Sequence, residues 1–460
     1  MSETTTLPPA RSWLRTPAAK VGMILALLLV LQIPLSMVSG LIDERQARQA
    51  DTVTELGRGW GPEQTVTGPL LIVPYSWDDA AAPHAPGTTR VTAYVRIPAS
   101  QLHVEATLQP QMRRRGLFRA AIYTAAVKLS GAFEIPDFAA APGSVPPNAS
   151  FDWQGARLVL GASDLRGLPP GTALTWNGSS VTLRLAQHQV ACGLTLFDVP
   201  AALPPTPKAG TGATFELSLS LRGTQAFHIQ PTAAQSSLQI RSPWATPGFI
   251  GASFPTEEAP DALGFAAGWV VAGDAESASW QQRGWAMPNC NESVDKPFFD
   301  QDRSIGVELR EAVPVYLMVT RAQKYGVLFL ALSFLTLFLF EAVARVRIHM
   351  VQYGLLGLSV SLFALLLISA AEPLGFAAGY AVSTAAVLAQ ASLYTLSVTR
   401  RTRLAVTFAG VLGSLFGFLY VVLSLDAYAL LAGTVALFAV LSIVMVVTRR
   451  VNWEDAAGAV

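Results

Sequence analysis

The chain of 460 residues is short of charge and nearly free of cysteine: 14% of it is Asp, Glu, Lys or Arg, with five histidines and two cysteines. So little charge beside 51% hydrophobic residues excludes an ordinary soluble domain. A net charge of +1, with no basic block interleaved with aromatics, excludes a nucleic-acid binder. The two cysteines, Cys192 and Cys290, are too few for a disulfide-built scaffold. Their pairing would close a loop of about 100 residues and contribute up to ~4.7 kcal/mol. Two unpaired buried thiols, acting as small apolar groups, are the alternative reading. Catalytic motifs are also missing, for there is no G-x-S-x-G, H-E-x-x-H or G-x-x-x-x-G-K-[ST]. The spacing of Ser293 and Lys296 matches S-x-x-K but lacks its S-D-N and K-T-G companions, so it reads as chance. His188 and Cys192 share a face if extended, yet no carboxylate or second histidine stands near them in sequence. The residues therefore point to no catalytic group, no cofactor and no metal site.

What the chain has in abundance is hydrocarbon. A bilayer core about 30 Å thick takes ~20 apolar residues as helix, and six runs approach or reach that length: Val21–Ile42, Tyr325–Phe340, Met350–Ala371, Leu374–Val398, Leu404–Leu425 and Ala427–Thr448. The first exceeds the apolar core of a cleavable signal peptide and lacks a clear A-x-A site, so an uncleaved anchor is expected. Basic residues alternate along the runs. Arg11, Arg15 and Lys20 precede the first, Arg345 and Arg347 follow the second, Arg400, Arg401 and Arg403 separate the fourth from the fifth, and Arg449 and Arg450 follow the sixth. The other two short connections carry only Glu372 and Asp426. By the positive-inside rule these arginines set the topology: both termini cytoplasmic and residues 43–320 exported. Arg321 and Lys324 run against the pattern, but they flank a long translocated segment, where the rule is weak.

Glu341 closes the second run, and an i,i+4 pair with Arg345 is expected there, marking the membrane border. The interiors of the downstream runs lack ionisable residues, which disfavours an ion-coupled transporter. Small-xxx-small pairs at Gly375/Gly379 and Gly413/Gly417 are expected to bring helices close, within one chain or at a dimer face.

The exported segment changes period. Val91, Ala93, Val95 and Ile97 alternate with polar neighbours, as do Leu102, Val104, Ala106 and Leu108. The pattern returns at Val181, Leu183 and Leu185, at Phe215 to Leu221, and at Ile305, Val307 and Leu309. Short strands between Pro- and Gly-rich turns predict antiparallel sheets packed as a sandwich, with residues 200–212 a candidate seam between two halves. The stretch 59–69, GWGPEQTVTGP, predicts turns bounding a strand. Arg113, Arg114 and Arg115 form a basic run that reads as a solvated edge or as a contact for anionic lipid. The fold class expected is thus an α+β membrane protein: tail 1–20, helix 21–42, a periplasmic all-β body 43–320, five helices over 321–448 and tail 449–460.

RGWGPEQTVTGPLLIVPY, RRRGLFRAAIYTAAVKLSGAF, TRAQKYGVLFLALSFLTLFLFE, RIHMVQYGLLGLS and DAYALLAGTVALFAVLSIVMVVTRRVNW resemble the bacterial CreD family, also called cell-envelope integrity proteins. The likeness covers most of the chain except about residues 200–290, and Met350 stands where the family usually has proline after its RIH motif. It implies a Gram-negative inner-membrane protein tied to a two-component stress response, β-lactam susceptibility and colicin tolerance, with no catalytic residues to carry over. The leading expectation is a non-enzymatic envelope protein with membrane lipids and envelope proteins as partners, binding through sheet edges or exposed aromatics among Trp60, Trp77, Trp153, Trp244 and Trp269. Taken singly, each of those tryptophans reads first as core. The alternative is a lipid-handling carrier or enzyme with an acyl cavity between the β body and the helices.

Overall fold

The structure is a computed structural model, and it describes residues 17–79, 89–138, 146, 148–191, 194–261, 264–272, 304–310, 315–344, 348–424 and 429–449. The chain divides into two compact units, Ala50–Ala312, and Met1–Gln49 together with Val313–Val460. Sheet fills the first and helix the second, an α+β membrane protein with a large β body.

The β body holds two sheets. Period-2 alternation makes each strand two-faced, so a sheet can bury one face only against another sheet. The nine-stranded sheet runs Pro247–Gly251, Ile305–Leu309, Ala226–Gln230, Gln64–Asp79, Arg157–Ala162, Leu194–Pro200, Leu185–Ala191, with Thr89–Pro98 and Ser150–Phe151 also on Gln64–Asp79. The eight-stranded sheet runs Glu257–Asp261, Gly264–Ala272, Gln235–Ser242, Gln101–Arg115, Phe118–Glu134, Gly212–Thr224, Ala173–Trp176, Ser179–Thr182. Leu102, Val104, Ala106 and Leu108 are buried, and so are Phe215, Leu217, Leu219 and Leu221 and Ile305, Val307 and Leu309, as their alternation requires. One hydrophobic cluster draws on both sheets.

Two expectations about the body need correcting. The sheets are not wholly antiparallel: Gln64–Thr67 pairs parallel with Phe227–Gln230, and Gln101–Thr107 pairs parallel with Gln235–Arg241. The stretch 226–242 thus threads both sheets, and long-range parallel pairing leaves no local signature in sequence. Residues 200–212 are no seam either. Ala201 and Leu203 are buried, Ala201 N donates to Ala156 O at 2.9 Å and Leu203 N to Trp153 O at 3.2 Å, so the Pro-rich stretch is a crossover pinned to the common core. The alternation at Val181, Leu183 and Leu185 is not one strand: Val181 and Leu185 belong to two strands, one at the edge of each sheet, and Leu183 lies between them.

In the helical unit, four helices among the described residues are long and apolar enough to cross a bilayer: Ala19–Trp60, Met350–Leu374, Phe376–Thr399 and Thr402–Ser424. Val315–Lys324 and Gly326–Glu341 meet at a 44° bend and make a fifth if they are one span. The sixth apolar run is helical over Ala429–Thr448 and is not among those five. The first helix does not stop at Ile42 but continues to Trp60, so the β body's first strand begins only at Gln64. Charged residues after position 42 ended the apolar run without ending the helix, because exposed Glu, Arg and Gln are good helix formers. The second run is helical from Gly326, as expected, and a separate short helix, Val315–Lys324, precedes it.

Leucines of the first helix pack on glycines of the bundle. A Cβ on Gly357 would stand 2.5 Å from Leu31 Cδ1 and 2.6 Å from Phe334 Cζ, one on Gly326 3.2 Å from Leu35 Cδ2, and one on Gly354 3.8 Å from Leu27 Cδ1. Leu27, Leu31 and Leu35 lie one turn apart, a single ridge. Of the four glycines expected to mediate crossings, Gly379 does so, its Cβ position 2.6 Å from the Ala371 backbone. Gly375 instead takes φ 84° where one helix ends and the next begins, Gly417 has open space beside it, and Gly413 faces Leu388 at an ordinary 3.7 Å.

Candidate functional site

Two polar clusters stand out in the helical unit. At one, Lys20 Nζ pairs with the Glu341 carboxylate and donates to Ile348 O at 3.2 Å, while Tyr353 OH donates to Glu341 Oε2 at 3.3 Å. Lys20 also lies 5.7 Å from the centre of the Tyr353 ring, within cation–π reach. At the other, Tyr316 OH donates to Glu372 Oε1 at 2.9 Å, and Arg45 Nη1 lies 3.7 Å from Glu372 Oε2. Each cluster is a cation of the first helix, a carboxylate and a tyrosine. Each ties that helix to the bundle, and the carboxylates are 15% and 8% exposed.

Lys20 and Arg45 are 25 residues apart on a continuous helix, about 38 Å at 1.5 Å per residue. That separation falls between the hydrocarbon thickness of a bilayer, about 30 Å, and its thickness with headgroups, about 40–45 Å. The two clusters are therefore spaced as border posts would be. The expected partner of Glu341 was Arg345, which lies outside the described residues; the partner present is Lys20. Sequence reading paired Glu341 with Arg345 and placed Glu372 only in a short connection, because the cations that meet them are hundreds of residues away. A lysine or arginine at each end of the first run was the available signal.

Between the clusters, Ser359 Oγ donates to Gln390 Oε1 at 3.0 Å and Tyr380 OH to Phe416 O at 2.6 Å. Both bonds join helices, as polar groups in an apolar medium do.

The β body has a cleft of about 400 Å³ lined by Val53, Thr54, Arg58, Glu63, Arg166 and Gln225, among others. Arg166 is a cap rather than a free cation: Nη1 donates to Gly57 O at 3.1 Å and to Arg58 O, and Nη2 to Asp164 Oδ2 at 3.0 Å. Those carbonyls end the Gln32–Trp60 helix, where a cation offsets the helix dipole. Trp60 Nε1 donates to Tyr123 O at 3.0 Å and its ring centre lies 4.6 Å from the Arg222 guanidinium. Burial and the neighbouring Glu308 carboxylate push the Glu63 carboxyl above its ordinary value. Burial pushes His228 below its own, with Glu308 opposing. Tyr123 is fully buried with its OH donating to Ala226 O at 2.5 Å, and burial raises its phenol.

The remaining candidate residues are dispersed. Arg400, Arg401 and Arg403 are exposed between two helices, Arg400 ending the first of them in a left-handed conformation at φ 52°. Arg449 is exposed as well. Cys192, Cys290, Arg345, Arg347 and Arg450 lie outside the described residues, as do Arg11, Arg15, Asp426, Ser293 and Lys296. Trp153 and Trp269 are core, while Trp60, Trp77 and Trp244 are half-buried. Among the described residues no group of three or more His, Cys, Asp or Glu could hold a metal ion.

The family model described as "Inner membrane protein CreD" matches residues 16–454. The chain belongs to the CreD family. It is similar to the inner membrane protein CreD of Escherichia coli strain K12, 24% identical over 439 residues that cover 94% of this chain and 93% of that protein. Among solved structures, an M1 zinc metallopeptidase from Deinococcus radiodurans covers 78% of this chain and 92% of its own at 11% identity, with a TM-score of 0.21, too low to carry any argument. Family membership and the apolar helices agree on a bacterial inner-membrane protein.

Proposed function

We propose that this CreD-family protein is a non-catalytic scaffold of the cell envelope, with both termini in the cytoplasm, six membrane crossings and the β body in the periplasm. The observation that carries this reading is the employment of the charged groups. Lys20, Glu341, Arg45 and Glu372 form cation–carboxylate–tyrosine clusters that fasten the first helix to the bundle. A transporter holds intramembrane charge free to bind or relay an ion; here the charge is engaged in architecture. The roles in stress signalling, β-lactam susceptibility and colicin tolerance are those the family resemblance implies.

A lipid carrier is the second reading, favoured by an apolar cleft among the helices Gly326–Ala344, Thr402–Ser424 and Ala429–Thr448, lined by Phe329, Leu332, Leu415, Phe418, Leu437 and others. Its volume is about 50 Å³, room for a few water-sized probes at about 10–15 Å³ each, which is small for an acyl chain. Mass spectrometry of the detergent-purified protein separates the two. The scaffold predicts no stoichiometric lipid, together with crosslinks to envelope proteins; a lipid retained one to one would overturn it in favour of the carrier.

A further inference from the structure

Residues 110–120 form the far end of a long hairpin. Pairing between Gln101–Arg115 and Phe118–Glu134 persists to Arg115 opposite Phe118, with Gly116 and Leu117 as the turn. Burial persists as far as Ala120 on the second strand but stops earlier on the first. Exposed and buried positions alternate from Gln101 to Gln109, and then all of 111–115 are exposed. Met112 and Arg114 continue the face that carries Leu102, Val104, Ala106 and Leu108, because successive side chains alternate sides. Ala121, opposite Met112, is still buried, so the core-facing side overhangs the sandwich only at its tip, from Arg114 to Arg119.

On that overhang the register sets Arg119 directly opposite Arg114. Like charges at paired positions weaken a sheet. Their neighbours are engaged: Arg115 pairs with Glu55 at 3.1 Å, and the Arg113 guanidinium lies 6.0 Å from the centre of the Trp60 ring. Arg114 and Arg119 have no ion pair among the described residues. Met112 and Leu117, 42% and 54% exposed, flank them. Paired cross-strand Cβ atoms stand about 4.5–5.5 Å apart, a distance over which two guanidinium forks can share one phosphate.

We propose that Arg114 and Arg119 clamp the phosphate of an anionic phospholipid headgroup, with Met112 and Leu117 entering the apolar boundary beside it. A bound phosphate supplies the counter-charge that the sheet lacks. The apolar pair favours lipid over an acidic protein surface, since methionine and leucine gain nothing from a charged face. A membrane-embedded chain meets lipid at high effective concentration, so two arginines of modest individual strength suffice.

The test uses the full chain with both cysteines native and a spin label on an unnatural amino acid at position 117, reconstituted into nanodiscs of phosphatidylcholine with or without phosphatidylglycerol. The expected result is an immobilised component that requires phosphatidylglycerol, whose ratio to the mobile one falls about fivefold for Arg114→Gln and about fivefold again for Arg119→Gln. Identical spectra in both lipids, or variants without effect, would overturn the proposal. Millimolar inorganic phosphate reproducing the change in phosphatidylcholine alone would overturn it too, assigning the site to a free anion. So would immobilisation by an acidic protein but not by lipid. Removing one of two facing like charges is expected to hold or raise the melting temperature. If it falls instead, Arg114→Lys decides: it keeps the charge, so the clamp predicts a retained but weakened response, and a silent label refutes it.

Discussion

In the β body, position within the core is secured by area: Trp269 is 1% exposed, donates from Nε1 to Ser253 O at 3.2 Å and meets the Phe249 ring edge-on at 5.8 Å. In the helical unit, position is secured by fit and by a few polar bonds, Leu31 against Gly357 and Lys20 against Glu341. The difference follows from the solvent. Water drives apolar faces of sheets together, whereas lipid tails offer a leucine the same environment as another helix does. A membrane helix must therefore gain its partner from close packing and from polar groups that lipid cannot satisfy.

The comparison breaks most readily at Trp269. Trp269→Ala is expected to lower the stability of the β body by about 3–5 kcal/mol through lost transfer energy and an unfilled cavity, read by thermal unfolding. In the helical unit the sharper test is insertion. Gly357→Val should cost about 1–3 kcal/mol, because the added atoms meet Leu31 and Phe334, while Gly417→Ala, with open space beside it, should change stability by less than about 0.5 kcal/mol. Equal effects of the two substitutions on melting in detergent would deny the leucine-on-glycine packing.

A smaller effect tests the titrating groups of the β body. His228 is held below its ordinary value of 6.5, so its contribution to stability is fully present above that pH and is lost as pH falls from there through the folded-state value. Glu63, raised above 4.5, acts in the opposite sense: its contribution is present below that value and lost as pH rises through the folded one. The expectation is that His228→Gln flattens the loss of stability on acidification and that Glu63→Gln raises stability at neutral pH. Melting curves between pH 5 and 8 check both.

The strand pattern was legible because period-2 alternation is local: Leu102 to Leu108 and Phe215 to Leu221 announce their buried faces within one strand. The apolar runs were legible for the same reason. What sequence could not supply was pairing at a distance. Nothing near Ala226 or Gln235 signals a parallel partner more than a hundred residues earlier. The spacing Gly375/Gly379 and Gly413/Gly417 looked like a packing motif, yet Gly326, Gly354 and Gly357 receive the leucine ridge, and only the position of the first helix shows it. The place of Glu341 at the end of an apolar run was legible. Its partner was not, since Lys20 is 321 residues away.

The central claim is that the charges of the helical unit are pins for the first helix, and a double-mutant cycle at Lys20 and Glu341 tests it most directly. Lys20→Met and Glu341→Leu should each lower the melting temperature, by an amount equivalent to about 1 kcal/mol or more, because each strands a partly buried charge. The double variant, which removes both charges, should recover most of that loss. Losses that simply add would contradict the account.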